Sequence, residues 1–362
     1  MSQKVAIVGT GLIGGSIGLG LRAAGIEVVG HDDDYVAARA AMQRGAIGRA
    51  ASSAVEAVAG CDLVVVAVPV DRVPEVCSLI ADAAGDAVVT DVGSAKAAVV
   101  ERGESVFGGR FIGGHPMAGS ERQGVEAADA SLFEGAYWIL TPTPTTSDRA
   151  YGAVSDLAGR LGATPVAVEP AVHDALVARL SHMPQLAASA LVEVAVTTGD
   201  QDALLGLAAG GFRDVTRIAA SDADLWVAIL RANSTAVLEA LDGLERKFGE
   251  LGDLMRAGKW DELRRFLDRA RRARLQLFAK PVYVGDPVAL DLMIPDRPGV
   301  LAEVTTAAGE IGANIEDLRI IHSTEGGRGR LHLVIAGEDK ARRLETALAG
   351  LGYRVERAEL LE

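Results

Sequence analysis

A histidine set among small residues is the first candidate for chemistry in this chain. Residues 113–121 read Gly-Gly-His-Pro-Met-Ala-Gly-Ser-Glu, so His115 has little side-chain bulk on either side. An imidazole has an unperturbed pKa of about 6.5 and exchanges a proton readily near neutrality. Pro116 restrains the backbone beside it, and the glycines let another molecule approach closely. The segment predicts a loop in which His115 is a candidate acid or base.

A glycine-rich motif near the N-terminus predicts a nucleotide site. Residues 9–14 read Gly-Thr-Gly-Leu-Ile-Gly between a strand-like run at 5–8 and a helical segment, and Asp32 ends the next strand-like run. In this context backbone N–H groups and a helix N-terminus bind a pyrophosphate, and the aspartate binds ribose hydroxyls and repels a 2′-phosphate. The expected cofactor is NAD rather than NADP. The candidate cofactor-binding residues are Gly9, Gly11, Leu12, Ile13, Gly14 and Asp32.

Two points about this motif stay open. Asp33 and Asp34 follow Asp32 directly, and they strengthen the repulsion of a phosphate while leaving the ribose-binding carboxylate uncertain. The alternative for the whole motif is a glycine-rich turn that binds no nucleotide.

A second polar segment follows a later strand-like run. Residues 91–96 read Asp-Val-Gly-Ser-Ala-Lys after the run at 87–90. Ligands of open α/β sheets gather at the carboxyl ends of strands, so Ser94 could share a hydrogen bond with a nearby imidazole. The alternative is that Ser94 and Lys96 are a helix N-cap and a solvated residue of the first helical turn.

Two further histidines occur downstream, His173 before Asp174 and His182 within Ser-His-Met-Pro-Gln at 181–185. Their spacing of nine residues does not place them cleanly on one helical face, and either histidine could be structural. No thiolate or third histidine accompanies them at a recognised ligand spacing, so we expect no metal site.

Residues 210–217 read Gly-Gly-Phe-Arg-Asp-Val-Thr-Arg. Arg213 and Arg217 share a face if this segment is helical. Guanidinium groups bind carboxylates in a bidentate manner, which indicates an acidic substrate. The alternative is a surface ion pair with a neighbouring aspartate.

The elements that must position these residues change type along the chain. Residues 1–170 alternate short apolar runs with helical segments, which predicts a parallel sheet covered on both faces. Residues 171–282 are almost entirely helix-forming, and the helices at 175–197 and 225–254 are apolar on several sides, as expected of helices buried by other helices or a second subunit. Residues 287–362 have the strand and helix order of a ferredoxin-like fold. We therefore expect an α/β chain with a Rossmann dinucleotide-binding domain, an all-α domain and a ferredoxin-like domain.

Composition narrows the function classes. The net charge of −13 argues against a nucleic-acid binder, which needs clustered Lys and Arg. Two cysteines, Cys61 and Cys77, indicate a reducing compartment without a disulfide framework. The most apolar run, residues 63–70, is too short to span a bilayer. We expect a cytoplasmic enzyme without membrane partners.

These motifs, in this order and over the whole chain, resemble the prephenate/arogenate dehydrogenase family of tyrosine biosynthesis. The resemblance implies a helical domain that forms a homodimer, and a hydride passed to NAD. It also implies that His115 takes the proton of the substrate ring hydroxyl, that Ser94 lies between His115 and the nicotinamide, and that Arg217 binds the ring carboxylate. Loss of CO2 then makes the ring aromatic without a metal. The substrate-binding candidates are Arg217, Arg213, Gln185, His182 and Ser181.

The substrate is less certain, because some prephenate-specific members carry a second histidine where this chain has Gln185. A neutral glutamine suits prephenate or arogenate, and we favour prephenate, with 4-hydroxyphenylpyruvate as product. The alternatives are an arogenate dehydrogenase that makes tyrosine directly and a non-catalytic amino-acid sensor with a dinucleotide fold. His115, Ser94 and Arg217 speak against the sensor, which needs no base.

The C-terminal segment resembles the ACT regulatory domain. Residues 294–301 read Ile-Pro-Asp-Arg-Pro-Gly-Val-Leu, and residues 312–315 read Gly-Ala-Asn-Ile. The resemblance implies an amino-acid site, and we hypothesise feedback regulation by tyrosine. The alternative is a dimerisation module without a ligand. The candidate effector-binding residues are Asp296, Gly299, Val300, Leu301 and Asn314.

Overall fold

The computed structural model describes residues 4–119, 122, 124–198, 210–277, 287–295, 300–313, 315–322 and 328–358. The chain divides into two compact units, Met1–Gly252 and Asp253–Glu362. Within these ranges, no helix combines the length and the apolar character that a bilayer-crossing segment requires.

An eight-stranded sheet forms the centre of the first unit. Its strands are β1 (Lys4–Val8), β2 (Glu27–His31), β3 (Arg49–Ala50), β4 (Leu63–Val66), β5 (Val88–Asp91), β6 (Phe111–Pro116), β7 (Tyr137–Thr141) and β8 (Thr164–Ala167). They lie in the order β3-β2-β1-β4-β5-β6-β7-β8, and the pairs from β3 to β6 are parallel. The strand order reverses between β1 and β4, which is where ligands of such sheets bind.

Helices cover both faces of this sheet, as expected for a Rossmann fold. They are α1 (Leu12–Ala23), α2 (Tyr35–Gln43), α3 (Ala54–Val58), α4 (Val73–Leu79), α5 (Ala97–Phe107) and α6 (Asp148–Arg160). Alternate residues of a strand point to opposite faces, and β1 shows the consequence. Its Val5 and Ile7 belong to one buried apolar cluster, whereas Ala6 and Val8 belong to another.

One sheet pairing differs from the expected parallel arrangement. Strand β7 runs antiparallel to β6, and β8 then runs parallel to β7. A parallel neighbour needs a crossover connection, usually a helix. Between β6 and β7 the described residues contain only the short 3₁₀ turn Val125–Ala127, so the chain returns in the opposite direction.

The helical part of the first unit follows β8. Its helices are α7 (Pro170–Val177), α8 (Met183–Thr198), α9 (Gly210–Thr216), α10 (Ala223–Ala232) and α11 (Ser234–Arg256). The two long helices expected from the sequence are interrupted. A π-helical turn, Ala178–His182, separates α7 from α8, and Asn233 separates α10 from α11. Both interruptions lie at buried polar residues, His182 and Asn233.

The second unit contains α12 (Trp260–Leu277) and a four-stranded antiparallel sheet. The elements after α12 are β9 (Pro287–Pro295), α13 (Val300–Glu310), β10 (Ile315–His322), β11 (Arg328–Ala336), α14 (Glu338–Gly350) and β12 (Arg354–Ala358). The sheet order β10-β11-β9-β12 and this alternation of strands and helices are those of a ferredoxin-like domain. Leu292, Leu333 and Leu344 are buried together in its core.

The expected effector residues are only partly visible. Asp296, Gly299 and Asn314 lie outside the described residues. Val300 begins α13 and is buried in the apolar core, so its side chain is not open to a ligand. Leu301 is exposed at the same helix start.

Candidate active site

The glycine motif forms a tight turn between β1 and α1. Gly9 has a φ of +97°, a backbone conformation that favours glycine, and a Cβ on Gly14 would overlap the carbonyl oxygen of Gly9. A Cβ on Gly11, by contrast, would meet no atom within 4 Å. Among the described residues, no side chain caps the N-terminus of α1. The first backbone N–H groups of α1 are therefore open, which is what a pyrophosphate requires.

Asp32 is the aspartate that faces this turn. Its Oδ2 accepts hydrogen bonds from the backbone N–H of Thr10 at 2.7 Å and from the Thr10 hydroxyl at 3.1 Å. Asp34 instead caps α2 by accepting from the N–H of Val36 at 2.8 Å, and the side chain of Asp33 is 85% exposed. Of the three neighbouring carboxylates, Asp32 is the one placed to meet ribose hydroxyls beside the turn. The residues of this region fit NAD.

A buried ion pair holds the end of β6. The side chains of Lys96 and Asp91 are completely buried and contact each other directly. Lys96 Nζ also donates to the carbonyl oxygen of Gly114 at 2.8 Å, and Asp91 Oδ1 accepts from the N–H of Gly114 at 3.3 Å. Burial lowers the pKa of Lys96, and the charge of Asp91 opposes that shift. The pair thereby fixes the peptide that precedes His115.

His115 lies near the end of strand β6, where it pairs with Ile139 of β7, so the expectation of a loop at His115 is wrong. Antiparallel pairing with β7 keeps the Gly-Gly-His segment extended. The side chain is half-buried, and its Nδ1 is 2.9 Å from Nε2 of His173. The two rings meet edge to face, with their planes at 74°.

His173 and Asp174 continue this contact into the helical part. His173 Nδ1 lies 2.8 Å from Asp174 Oδ1, and His173 is buried. The Asp174 carboxylate accepts from the backbone N–H groups of Lys96 at 2.7 Å and Ala97 at 2.8 Å, at the N-terminus of α5. Burial by itself raises the pKa of Asp174. The hydrogen bonds from His173, Ala97 and Lys96 outweigh burial, so the pKa lies below its ordinary value.

His182 approaches the same aspartate from the π-helical turn. Its Nδ1 is 3.2 Å from Nδ2 of Asn233, which also donates to the backbone oxygen of Asp174 at 2.9 Å. The Trp226 ring meets the His182 ring edge to face at a centroid distance of 5.9 Å. Burial lowers the pKa of His182 to about 4. A π-helical turn changes the phase of a helix, which explains how residues nine apart reach one polar cluster.

The electrostatics of this cluster suit a base. Burial first, and the charge of nearby Lys96 in addition, hold the pKa of His115 well below its usual value of 6.5. The His115 ring is therefore neutral at pH 7 and carries one nitrogen lone pair. A neutral imidazole at the carboxyl edge of the sheet can take a proton from a bound hydroxyl.

Ser94 is half-buried and lies between β5 and α5. In the described part of the chain it makes no hydrogen bond with His115, whose Nδ1 is taken by His173. The role expected for Ser94 remains a prediction. Lys96 is fully buried, so the alternative of a solvated lysine is wrong.

The expected substrate-binding residues occupy different environments. Gln185 is buried in α8, and within the described residues its Oε1 has no hydrogen-bond partner. Ser181 is half-buried in the π-helical turn. Arg213 on α9 and Arg217 in the following 3₁₀ turn are both exposed, so an acidic ligand can reach their charges. Helix α9 ends at Thr216, and the two arginines are therefore not on one continuous α-helix.

Sequence reasoning missed two members of the cluster. Asn233 belongs to no motif, and its polar neighbours Arg231, Ser234 and Thr235 give no local signal that distinguishes it. Lys96 was visible in its motif, but nothing local distinguishes a buried lysine from a solvated one. Both are defined by contacts with residues far away along the chain.

Comparison with known proteins gives a consistent result. The family model described as prephenate dehydrogenase, nucleotide-binding domain, matches residues 17–167, and the one described as prephenate dehydrogenase, dimerization domain, matches residues 169–269. The chain is similar to a prephenate dehydrogenase of Bacillus subtilis (strain 168), at 33% identity over 96% of each chain.

Solved structures agree with these matches. The crystal structure of Aquifex aeolicus prephenate dehydrogenase with hydroxyphenyl propionate and NAD⁺ is 32% identical, with a TM-score of 0.72, over 76% of this chain and 99% of that one. Synechocystis arogenate dehydrogenase is 29% identical, with a TM-score of 0.68, over 76% of this chain and 100% of that one.

Proposed function

The chain belongs to the prephenate dehydrogenase family, and on that premise we propose that it oxidises prephenate to 4-hydroxyphenylpyruvate and CO2 with NAD⁺. One structural observation carries the proposal. The glycine turn after β1 and His115 at the end of β6 lie on the same edge of the sheet, separated by the parallel strands β4 and β5. At a strand spacing of about 4.8 Å they are roughly 14 Å apart, a length that an extended dinucleotide spans.

The residues divide the chemistry between them. Bound NAD⁺ supplies the hydride acceptor. The neutral imidazole of His115 takes the proton of the ring hydroxyl, and the oxygen becomes a carbonyl as the hydride leaves the same carbon. The bond between the ring and its carboxylate then breaks and releases CO2. Its electron pair makes the ring aromatic, and the carbonyl oxygen takes a proton back to become the phenol hydroxyl of the product. We assign the ring carboxylate to the exposed guanidinium of Arg217, which binds a carboxylate through two parallel N–H donors.

The test is NADH formation followed at 340 nm with the purified full-length chain. Prephenate and arogenate are supplied in parallel, each with NAD⁺ and with NADP⁺. We expect turnover with prephenate and NAD⁺, and a much lower kcat/KM with NADP⁺, because Asp32 repels a 2′-phosphate. Absence of NADH formation with both substrates contradicts the proposal.

The side-chain oxygen of Gln185, which has no hydrogen-bond partner among the described residues, favours arogenate as a second candidate substrate. A buried acceptor without a donor is unfavourable, and the ammonium group of arogenate can supply that donor. Prephenate has a keto oxygen at the same position and would require the amide to turn. Comparable kcat/KM values for both substrates support a dual specificity, and Gln185→Leu should then lower kcat/KM for arogenate more than for prephenate.

We further propose a homodimer formed through the helical part. Several large apolar side chains there are exposed in one protomer, among them Leu180 at 73%, Leu238 at 60% and Val227 at 52%. Exposed apolar surface of this kind is typical of an interface between subunits. Light scattering should give twice the mass of the 37.5 kDa chain, and Leu238→Glu should shift the protein toward the monomer.

The ferredoxin-like domain is proposed to bind tyrosine as an ACT domain does, near the start of α13. Its fold is compatible with that role, and the sequence resemblance supplies the ligand class. Tyrosine titrated into the full-length enzyme should release or absorb measurable heat and lower the rate of NADH formation. No heat at millimolar tyrosine contradicts this part of the proposal.

The compartment proposed for the enzyme is the cytoplasm. Its two cysteines are unpaired and buried, which suits a reducing environment. Cells that express the intact protein are fractionated, and immunoblotting of the fractions tests this assignment.

A further inference from the structure

Three side chains from two distant parts of the chain form a continuous hydrogen-bonded series. It runs from the Asp174 carboxylate to Nδ1 of His173 at 2.8 Å, and from Nε2 of His173 to Nδ1 of His115 at 2.9 Å. His115 and His173 are 58 residues apart, and His173 is 2% exposed. Both ring nitrogens of His173 are therefore engaged, and only Nε2 of His115 is left outside the series.

The series has a direction because one end can only accept. An ionised carboxylate has no proton to donate, so Nδ1 of a neutral His173 must carry the hydrogen. Nε2 of His173 is then an acceptor, and Nδ1 of His115 must donate to it. The lone pair of His115 is thereby left on Nε2.

Asp174 is held in place independently of the histidines. Its two carboxylate oxygens accept from the N–H groups of Lys96 and Ala97 at the start of α5. The positive end of the helix dipole favours the ionised carboxylate at this position. Asn233 donates to its backbone oxygen from another helix. The carboxylate is thus ionised and immobile, as an orienting group must be.

From these contacts we infer that His173 and Asp174 are positioning residues that hold His115 in the Nδ1–H tautomer, with Nε2 as the nitrogen that accepts the substrate proton. The inference deepens the proposed function, since it assumes that His115 is the base. During the reaction the O–H bond of the substrate breaks and an Nε2–H bond forms on His115. No proton moves along the series, and the imidazolium of His115 donates through Nδ1 to His173, which donates to Asp174.

A second proton arrangement is the competitor. If His173 carried two protons, its Nε2–H would donate to Nδ1 of His115, and the His115 proton would reside on Nε2. His115 would then face the substrate as a donor and could not act as its base. The tautomer of His115 in the resting enzyme decides between the two.

The first experiment reads that tautomer directly. The ring-nitrogen ¹⁵N shifts are recorded near pH 7.5 for ¹⁵N-histidine-labelled enzyme with NAD⁺, and the signals of His115 among the six histidines are assigned by their loss in His115→Asn. We expect a protonated Nδ1 and an unprotonated Nε2. A protonated Nε2 overturns the inference. Because this readout needs no substrate, it separates the inference from the proposed function, which fails instead if the wild-type enzyme does not turn over prephenate.

The second experiment removes the middle of the series. In His173→Leu we expect kcat to fall by roughly 10- to 10²-fold with KM within about threefold of wild type, and the His115 signals to show loss of the single tautomer. His173→Gln places an amide oxygen near the former Nε2, where it accepts from His115, and should restore most of kcat and the wild-type tautomer. An unchanged kcat and tautomer in His173→Leu would overturn the inference.

The matched control perturbs the same helix without touching the series. Glu169, four residues before His173, caps α7 by accepting from the N–H of Val172 at 2.9 Å. Glu169→Ala should lower the melting temperature and leave kcat and the His115 tautomer unchanged. If it lowers kcat as much as His173→Leu does, the contribution of α7 is structural and the inference is wrong.

Asp174→Asn tests the direction of the series. An asparagine can offer its N–H to Nδ1 of His173, which reverses both hydrogen bonds and puts the His115 proton on Nε2. We expect a larger loss of kcat than in His173→Gln and a protonated Nε2 on His115. A variant with the wild-type tautomer shows that Asp174 does not set the direction.

Discussion

Helices α1 and α5 both begin at the carboxyl edge of the parallel sheet, and neither has a capping side chain from its own sequence. The N-terminus of α1 is open, and a Cβ on Gly11 would meet nothing within 4 Å. At the N-terminus of α5 the N–H groups of Lys96 and Ala97 donate to the carboxylate of Asp174, which lies 78 and 77 residues after them in the sequence. One helix end is thus available to an anionic ligand, whereas the other binds an anion that belongs to the protein.

The difference shows two uses of the same electrostatic feature. Positive partial charge at a helix N-terminus stabilises a nearby anion in either case. At α1 it serves binding, since a ligand can enter and leave. At α5 it serves orientation, since the held carboxylate contacts His173, which in turn contacts His115. Variants at the two ends should therefore change different measured quantities.

The largest expected loss of kcat is at His115, which contacts the residues held at the N-terminus of α5. His115→Asn removes the proposed base and should lower kcat by roughly 10²–10⁴, with a modest change in KM and in NAD⁺ affinity. Steady-state NADH formation gives kcat and KM, and a calorimetric titration gives the NAD⁺ affinity. If kcat is unchanged, the α5 end does not orient a base.

Arg217→Gln tests whether substrate binding depends on a residue outside both helix N-termini. Loss of a charge-assisted contact to a carboxylate should raise KM by about 10- to 10²-fold and change kcat little. Arg231→Gln, at an exposed arginine on α10 that is not among the substrate-binding candidates, is the matched control. Equal KM increases in both variants would indicate a general effect of positive charge rather than a specific carboxylate contact.

Substitutions at two glycines near the N-terminus of α1 distinguish an effect on stability from an effect on NAD⁺ binding. In Gly14→Ala the new Cβ overlaps the Gly9 oxygen and lies 3.0 Å from Ile7 Cγ2, so the free energy of unfolding should fall by about 2–3 kcal/mol. In Gly11→Ala the new Cβ meets no described atom within 4 Å, and the free energy of unfolding should fall by no more than about 1 kcal/mol, because alanine is a poorer N-cap of α1 than glycine. The NAD⁺ affinity of this variant should nevertheless fall at least about tenfold, or ~1.4 kcal/mol, if a pyrophosphate lies there.

Chemical denaturation and NAD⁺ titration distinguish the two variants. Unchanged NAD⁺ affinity in Gly11→Ala would mean that the open end of α1 is not the pyrophosphate site.

The polar cluster near α5 should also make stability depend on pH. Burial lowers the pKa of His182 from 6.5 to about 4, so between these values the unfolded chain binds a proton that the folded protein does not. The free energy of unfolding should therefore fall as the pH drops through this window, with His182 contributing on the order of 2 kcal/mol. His182→Gln should reduce that pH dependence in denaturation curves recorded from pH 7 to pH 4. An identical dependence in the variant excludes His182 as the cause.

Local pattern was sufficient for much of the fold. The strand before Gly9, the helix after Gly11 and the strand that ends at His31, directly before Asp32, occupy 28 contiguous residues, and they lie where the motif predicted. The ferredoxin-like order of residues 287–362 was legible for the same reason, because each element carries its own periodicity.

Three features of the site could not be predicted in this way. His115 lies in a strand because β7 returns antiparallel beside it, and Lys96 is buried because Asp91 and Gly114 surround its ammonium group. His173 and His182 reach the same polar cluster through a π-helical turn, which no residue type predicts. Each depends on a pairing with a distant segment rather than on neighbouring residues.

The dinucleotide-binding turn, the order of the folding units and the choice of His115 as candidate base could be predicted from the sequence, because they depend on contiguous residues and on side-chain chemistry. The contacts that hold the His115 side chain in place depend on the tertiary structure. The lowered pKa of Asp174, its contact with His173 and the contact of His173 with His115 all depend on burial and on hydrogen bonds between segments that are far apart in the sequence. Desolvation acts on the assembled cluster, so its consequences are absent from any short stretch of the chain.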